Sequence, residues 1–240
     1  MILEAENLTK FFGGLAALKE VSFGIAEGEI LGLIGPNGAG KTTLFNVLSG
    51  AFRADHGRVV FAGEDVSHLG APRRCRTGLV RTFQVVKPFS NLSVLQNVMV
   101  GSFLRTPDPG LARERALEVM ELVGLGARQD QPAKSLTVSD RKRLEVARAL
   151  ATRPRLLLLD EVMAGLTPTE LVEMLETLKK IRDRGVTLLV IEHIMAAILT
   201  ISERILVLHH GEKIADGAPK AVAGDKRVID AYLGEEYLLA

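Results

Sequence analysis

Apolar and polar residues follow three successive patterns along this 240-residue chain. The first eighty residues contain short apolar runs between glycine turns, which are typical of β-strands, and one stretch with a helical period that follows a glycine-rich loop. The predicted elements are strands over 3–8, 18–25, 29–34 and 57–61 and a helix over 41–49. This part of the chain is therefore expected to be mainly β structure.

The middle of the chain has a different pattern. From about residue 85 to residue 155 the strand signals disappear, and helical periodicity predicts helices over 93–103, 111–123 and 140–152. We therefore expect a single domain. Its core would comprise residues 1–84 and 156–240, and a helical subdomain of about residues 85–155 would be inserted into it.

Strands and helices alternate again in the last third of the chain. The continuous apolar run Leu156–Asp160 is typical of a strand buried on both faces. The next helix is predicted to begin with Thr167 as N-cap and Pro168 at its first position, with Glu170 closing a capping box. A strand over 186–191, a short helix and a hairpin over 205–208 and 213–215 complete the prediction of an α/β fold.

Composition narrows the class of protein. Apolar residues make up 47% of the chain and charged residues 25%, and the net charge of +1 gives no field that would attract nucleic acid. We interpret the basic run over 72–76 as a solvated turn. Cys75 is the only cysteine, which excludes an internal disulfide.

Membrane insertion is not expected from the sequence. The most apolar stretch, 186–201, is interrupted by Glu192 and His193 and falls short of the roughly 20 apolar residues that a membrane span needs. The first six residues do not have the pattern of a signal peptide. The sequence thus predicts a soluble protein, or one that reaches a membrane through a partner.

A glycine-rich loop lies between the predicted strand over 29–34 and the predicted helix over 41–49. It fits the pattern Gly-x4-Gly-Lys-Thr with Gly35, Pro36, Asn37, Gly38, Ala39, Gly40, Lys41 and Thr42. Consecutive backbone N–H groups in such a loop cradle anions, and the helix N-terminus adds positive charge. Lys41 is placed to reach the β- and γ-phosphates and Thr42 to ligate Mg²⁺. The context favours a phosphate-binding loop over a structural glycine turn, and Thr43 completes the expected nucleotide-binding set.

The apolar run Leu156–Asp160 ends in an acidic residue and is followed by Glu161. An aspartate in this position can hold Mg²⁺ through its water shell, and Glu161 is placed to polarise an attacking water as a general base. An acidic helix start would give the same letters. Beside a phosphate loop, however, the pair predicts a site that binds ATP with Mg²⁺ and hydrolyses it.

Three further residues have two interpretations each. His193 follows the predicted strand over 186–191 and, taken alone, is best interpreted as a structural histidine. Gln84 is either a ligand of metal or water or an ordinary polar turn residue. Phe12 either stacks on a base or packs beside Phe11 in the core.

The order of these pieces resembles the ATP-binding subunits of ABC transporters over essentially the whole chain. The resemblance implies an α/β, RecA-like P-loop NTPase core with an N-terminal antiparallel β subdomain and the inserted helical subdomain. It implies that Phe12 stacks on adenine and that Gln84 senses Mg²⁺ and the membrane partner. His193 becomes a candidate γ-phosphate contact, and residues 164–166 become the loop that links two ATP sites. Catalysis is then expected from Lys41, Glu161 and His193, with Thr42, Gln84 and Asp160 as the residues around the metal ion.

The segment that corresponds to the family's Leu-Ser-Gly-Gly-Gln signature is unusual. It falls on residues 136–140, which read Leu-Thr-Val-Ser-Asp. Because two subunits of this family meet head to tail, the resemblance implies that Thr137 and Ser139 face the nucleotide of a second subunit. Val138 and Ser139 replace glycines and add Cβ atoms where backbone should approach phosphate, and Asp140 brings a carboxylate. We hypothesise an asymmetric pair in which the site at the partner's loop hydrolyses ATP more slowly.

Two segments, 81–98 and 228–236, resemble more specifically the G-type ATPase of branched-chain amino acid importers. Importers of urea or short amides share much of this pattern and stay an alternative, as does a regulatory subunit that hydrolyses ATP weakly. Soluble ABC-type ATPases of DNA repair or translation usually add coiled-coil inserts, a second cassette or basic surfaces, which this sequence lacks.

The resemblance also implies partners and a location. The expected partners are a second ATP-binding subunit, identical or different, transmembrane permease subunits and, indirectly, a solute-binding protein. The expected place is the cytoplasmic face of the cell membrane, as a peripheral subunit with ATP and Mg²⁺ as cofactors and no nucleic acid.

Overall fold

The computed structural model describes residues 1–82 and 88–238. Its strands are β1 Leu3–Phe12, β2 Leu15–Ile25, β3 Ile30–Ile34, β4 His56–Phe61, β5 Glu64–Asp65, β6 Leu79–Arg81, β7 Leu156–Asp160, β8 Thr187–Ile191, β9 Arg204–His209 and β10 Glu212–Gly217. Its helices are α1 Lys41–Leu48, α2 Ala71–Thr77, α3 Val94–Ser102, α4 Pro109–Leu122, α5 Val138–Leu150, α6 Pro168–Asp183, α7 Met195–Ile201, α8 Pro219–Ala223 and α9 Lys226–Leu238.

The described strands form two sheets. One is antiparallel, with the order β2-β1-β4-β5. The other has the order β10-β9-β3-β8-β7-β6, and its strands are parallel except for β10, which pairs antiparallel with β9. Because these strands run in the same direction, their carboxyl ends lie along one edge of the sheet.

The second sheet is buried on both faces. Every residue of β3, β7 and β8 is buried. In β7, Leu156 and Leu158 pack with α1 and the antiparallel sheet, whereas Leu157 and Leu159 pack with the helices of the other face. Strands covered on both faces need apolar residues at successive positions, which explains the uninterrupted leucine run.

The described part of the insert, residues 88–155, is helical. It contains α3, α4 and α5 with two short 3-10 turns, Gly126–Arg128 and Ala133–Ser135. Ser93 starts α3 with a capping box, Asp108 caps α4 and Thr137 caps α5. Among the described helices, none combines the length and the apolar character that a membrane crossing requires.

The basic run over 72–76 is not a solvated turn, so that interpretation is wrong. It forms most of α2, and Arg74 at its centre is 1% exposed. The guanidinium donates to the carbonyl oxygens of Val47 and Leu48 at the end of α1 at 2.8 and 2.7 Å, and to Leu69 at 2.9 Å. Burial lowers the pKa of Arg74 to about 10, so its side chain is still protonated at neutral pH.

Candidate active site

The chemistry-bearing segments meet at the carboxyl edge of the parallel strands. The register pairs Ile191 of β8 with Leu33 of β3 on one side and with Asp160 of β7 on the other. The loop after β3, Glu161 after β7 and the residues after β8 therefore emerge side by side. Such an edge is the usual ligand site of open α/β sheets.

The phosphate loop is packed closely between β2 and the hairpin of β9 and β10. Gly35 has φ +150°, and a Cβ added there would collide with the carbonyl oxygen of Leu208. Gly40 has φ +104°, and its Cβ would lie 2.5 Å from the carbonyl oxygen of Ala17. The backbone N–H of Gly211 donates to the carbonyl oxygen next to Gly40, that of residue 39, at 3.0 Å. The glycines are required because backbone meets backbone on both sides of the loop.

Lys41 is the first residue of α1 and is 7% exposed. Its Nζ donates to the carbonyl oxygens of Gly35 and Pro36 at 2.5 and 2.8 Å, so the ammonium lies inside the curve of the loop. The first turn of α1 contains no acidic residue. The positive end of the helix is therefore not neutralised by its own sequence, as expected of an anion site.

A cleft of about 690 Å³ opens in front of this loop. Its lining brings together most of the sequence-predicted residues: Phe12, Asn37, Gly38, Ala39, Gly40, Lys41, Thr42, Thr43, Glu161 and His193. Its volume is within the range of small-molecule pockets. Gly35, Pro36 and Asp160 are not part of the lining, and Lys19 and His210, which the sequence did not single out, are.

Phe12 is not a core residue. It is 45% exposed at the cleft, and its ring meets that of Phe52 edge to face, with centroids 5.6 Å apart. Lys10 lies with its Nζ 5.7 Å from the Phe12 centroid. An exposed ring at the rim of a phosphate site fits a base-stacking residue better than it fits core packing.

Glu161 and His193 are in direct contact. His193 Nε2 lies 2.7 Å from Glu161 Oε1. Glu161 has φ +50°, and its backbone N–H donates to the carbonyl oxygen of Ile191 at 3.0 Å. Lys142 of α5 donates to the carbonyl oxygen of Glu161 at 2.7 Å. An uncommon backbone conformation held by contacts on both sides is typical of a functional position.

Asp160 forms a buried ion pair. It is 3% exposed, and its Oδ2 accepts from Arg81 Nη2 at 2.7 Å. The other guanidinium arm, Nη1, donates to Asn46 Oδ1 of α1 at 2.6 Å. Arg81 was missed as a site residue because only the sheet order, with β6 beside β7, brings it to Asp160.

The donor set fits a hard divalent cation that takes part of its coordination from phosphate. Among the described residues no three His, Cys, Asp or Glu side chains cluster. Mg²⁺ commonly uses one or two carboxylates, waters and substrate phosphates, and a single buried Asp160, linked to α1 through Arg81 and Asn46, agrees with that preference. Gln84 lies outside the described residues.

The signature segment lies at the start of α5 and is not part of the cleft lining. The hydroxyl of Thr137 accepts from the backbone N–H of Asp140 at 3.1 Å and donates to its Oδ2 at 2.8 Å. Arg128 pairs with the same carboxylate at 3.3 Å, and Asp140 is 7% exposed. Ser139 is 6% exposed and interacts with Glu170, whereas Val138 is 58% exposed.

Comparison with known proteins agrees with this geometry. The family model described as ABC transporter matches residues 18–164, which is more than half of the chain. The chain belongs to the ABC transporter family. A second family model, described as branched-chain amino acid ATP-binding cassette transporter, matches residues 212–237 of this ATPase.

Several curated relatives span nearly all of the ATPase. The probable branched-chain amino acid transport ATP-binding protein LivG of Archaeoglobus fulgidus is 35% identical over 249 residues, covering 98% of this chain and 96% of the relative. The high-affinity branched-chain amino acid transport ATP-binding protein BraF of Pseudomonas aeruginosa is 38% identical over 250 residues, covering 98% of both. The lipopolysaccharide export system ATP-binding protein LptB of Haemophilus influenzae is 36% identical, covering 99% of both.

Solved structures show the same fold. The ADP conformation of an ATP-binding cassette of an ABC transporter superposes with a TM-score of 0.88 at 32% identity, covering 97% of this chain and 98% of the other. A dimeric post-hydrolysis cassette bound to ADP and phosphate gives 0.82 at 25% identity, covering 90% and 98%. The expected fold class, the family and the expectation of an ATP-hydrolysing transporter subunit are confirmed.

Proposed function

We propose that this ATPase binds Mg²⁺-ATP in the cleft at the carboxyl ends of β3, β7 and β8 and hydrolyses it to drive import of branched-chain amino acids. One observation carries the site assignment. Three separate strands deliver a phosphate loop, an Asp-Glu pair and a histidine to a single edge of the sheet, and His193 and Glu161 are within hydrogen-bond distance there.

Binding is assigned to the loop and the rim of the cleft. Lys41 already points its ammonium into the loop, so it exchanges carbonyl oxygens for phosphate oxygens without leaving its place. The backbone N–H groups of residues 35–43 cradle the phosphates. Phe12 stacks on the adenine. Preorganised donors of this kind lose little free energy to rearrangement when the ligand binds.

The metal ion is assigned to Thr42 and Asp160, with Gln84 as a further expected ligand. These residues would hold Mg²⁺, and the bound ion would supply positive charge that neutralises the phosphates. Asp160 would hold the ion with the carboxylate that pairs with Arg81 in this structure. Before nucleotide binds, the guanidinium of Arg81 lies beside Asp160 and compensates the charge of this buried carboxylate.

Hydrolysis is assigned to Glu161 and His193. Glu161 accepts a proton from the attacking water, which is the role of a general base. His193 orients the Glu161 carboxyl through the 2.7 Å contact, and its side chain is 49% exposed at the cleft, where it can meet the γ-phosphate. Catalysis is then chiefly positioning and electrostatic stabilisation.

The relatives support our proposals for the solute, the partners and the location. The C-terminal family match and two of the relatives above concern branched-chain amino acid transport. The relative named for lipopolysaccharide export is equally similar, so overall identity alone does not select the solute. We assign a second ATP-binding subunit, which meets the exposed Thr137 rather than the buried Ser139, together with transmembrane permease subunits and an indirect solute-binding protein. This subunit lies at the cytoplasmic face of the membrane.

The test is transport by the reconstituted complex. Proteoliposomes with the permease subunits and binding protein should take up leucine on addition of Mg²⁺-ATP, with urea and acetamide as comparison solutes. Glu161→Gln should keep nucleotide binding and lower hydrolysis by about 100-fold or more, because a general base is lost. Lys41→Ala should weaken ATP binding itself, since a direct phosphate contact disappears.

Exposed residues supply the matched controls: Glu114→Gln on α4 and Lys180→Ala on α6 should behave as the parent. Hydrolysis by Glu161→Gln at the parental rate would rule out its role as the base. Unchanged ATP affinity in Lys41→Ala would contradict the assignment of the loop. Uptake of urea but not leucine would select the alternative solute class.

A further inference from the structure

Glu192 is a buried acidic residue that the roles assigned above do not use. It follows β8 directly and is 3% exposed. Its Oε1 accepts from the backbone N–H of Met163 at 2.7 Å, whereas its Oε2 is buried and has no hydrogen-bond partner among the described residues. An ionised carboxylate in this place would leave one buried oxygen without a hydrogen-bond donor, which is costly.

The Met163–Glu192 hydrogen bond joins the two segments that carry the reacting side chains. Met163 lies two residues after Glu161, and Glu192 immediately precedes His193. Two other contacts connect the same segments: the backbone N–H of Glu161 to the carbonyl oxygen of Ile191 at 3.0 Å, and Glu161 Oε1 to His193 Nε2 at 2.7 Å. Glu192 thus supplies a third contact between the two segments, at Met163, which lies further from β7 than Glu161 does.

We propose that Glu192 is a positioning residue for ATP hydrolysis, which as a neutral carboxylic acid holds the turn after Glu161 against the segment that carries His193. This inference rests on the proposed roles of Glu161 and His193. Glu192 acts through them and does not itself touch the nucleotide. Its neutral form accepts the bond from Met163 with one oxygen and leaves no buried charge on the other.

The surroundings of Glu192 favour the neutral form. Burial is the largest cause and raises the pKa of Glu192 to about 7, and the neighbouring charge of Glu161 acts in the same direction. The backbone N–H groups of Met163 and His193 and the ammonium of Lys142 act in the opposite direction.

Two substitutions separate this role from simple structural support. Glu192→Ala removes the acceptor for Met163 and should lower kcat about 10-fold to 100-fold while the KM for ATP stays within about twofold, because positioning rather than binding is lost. Glu192→Gln keeps an acceptor oxygen and cannot ionise. The ratio of its kcat to that of the parent should rise about tenfold from pH 6 to pH 9, since only the parent gains a buried charge.

The measurement is steady-state ATPase activity of the assembled complex, with the exposed Glu114→Gln as control. A kcat ratio of Glu192→Gln to parent that is constant with pH would overturn the proposal, and this holds even if Glu192→Ala fails to fold. A folded Glu192→Ala with the parental kcat would overturn it too. Glu161→Gln is measured in parallel. Parental turnover in that variant contradicts the proposed function, whereas its loss together with a flat Glu192→Gln ratio contradicts only the positioning role.

Discussion

Arg74 is a buried charged residue whose guanidinium caps the carboxyl end of α1, the helix that begins at Lys41 of the phosphate loop. The last carbonyl groups of a helix have no partner within the helix. Arg74 donates to two of them, those of Val47 and Leu48, and to the carbonyl oxygens of Ser67 and Leu69. One guanidinium thereby fixes α1 to the segment that leads into α2.

Arg74→Met should destabilise the protein by about 3 kcal/mol, because it leaves buried carbonyl groups without donors. The measurement is the free energy of unfolding in urea. Arg73→Met, one residue away and exposed, is the matched control and should change stability by no more than about 0.5 kcal/mol. Equal effects of the two substitutions would mean that the hydrogen bonds of Arg74 add no stability.

The raised pKa of Glu192 predicts a pH-dependent stability. The pKa is about 7 in the folded protein against an ordinary value of 4.5, so the folded state binds the proton more tightly. Protonated Glu192 stabilises the folded state relative to ionised Glu192, and this contribution to the free energy of unfolding is complete below pH 4.5 and is lost as the pH rises through 7. A shift of this size corresponds to a loss on the order of 3 kcal/mol.

Glu192→Gln removes this titration. The free energy of unfolding of the variant minus that of the parent should therefore increase between pH 4.5 and pH 8 and level off above. Chemical unfolding at several pH values measures this difference, in which the titration of other groups cancels. A difference that does not change with pH would show that Glu192 titrates normally in the folded protein.

At the scale of elements, local sequence patterns such as apolar runs and capping residues predicted most of the strands and helices. The bounds of β7 agree with the sequence because a doubly buried strand needs an unbroken apolar run, and α6 has the expected capping box at Thr167 and Glu170. Helix α5 begins at Val138 rather than Asp140 because Thr137 is its cap. The sequence did not predict helix α2, because two of the carbonyl groups that accept from Arg74 lie 26 and 27 residues away in α1, and without them a short, arginine-rich segment looks solvated.

The residues of the candidate site likewise fall into those that the sequence predicted and those that it did not. The phosphate loop and the Asp-Glu pair have local sequence signals, and the resemblance to the family added His193. The partners of these residues have no local signal. Arg81 reaches Asp160 across 79 positions, and Met163 reaches Glu192 across 29. Such contacts depend on which strands are neighbours in the sheet, and periodicity does not define strand order.

At the scale of the whole molecule, the start of α5 lies beside the loop over 164–166, which the family resemblance assigns to the contact between two subunits. Val138 Cγ1 lies 4.0 Å from the position that a Cβ on Gly165 would take. Of the three unusual residues over 138–140, only Val138 is exposed, whereas Ser139 and Asp140 are buried and bonded within the chain. The hypothesis of an asymmetric pair therefore depends mainly on Val138.

Val138→Gly should raise the ATP turnover of the assembled pair about tenfold. The reason is that a Cβ and two methyl groups no longer separate the start of α5 from the partner's nucleotide. One well-placed backbone hydrogen-bond donor contributes about that much or more to the rate of a reaction. Asp140→Gln should give no gain and should destabilise the protein, since it breaks the pairing with Arg128 and the bond from Thr137. Val172→Gly, at an equally exposed helical valine of α6, controls for the helix cost of glycine. The asymmetry hypothesis fails if Val138→Gly and Val172→Gly turn over at the same rate, because the exposed side chain at 138 would then not limit the partner's site.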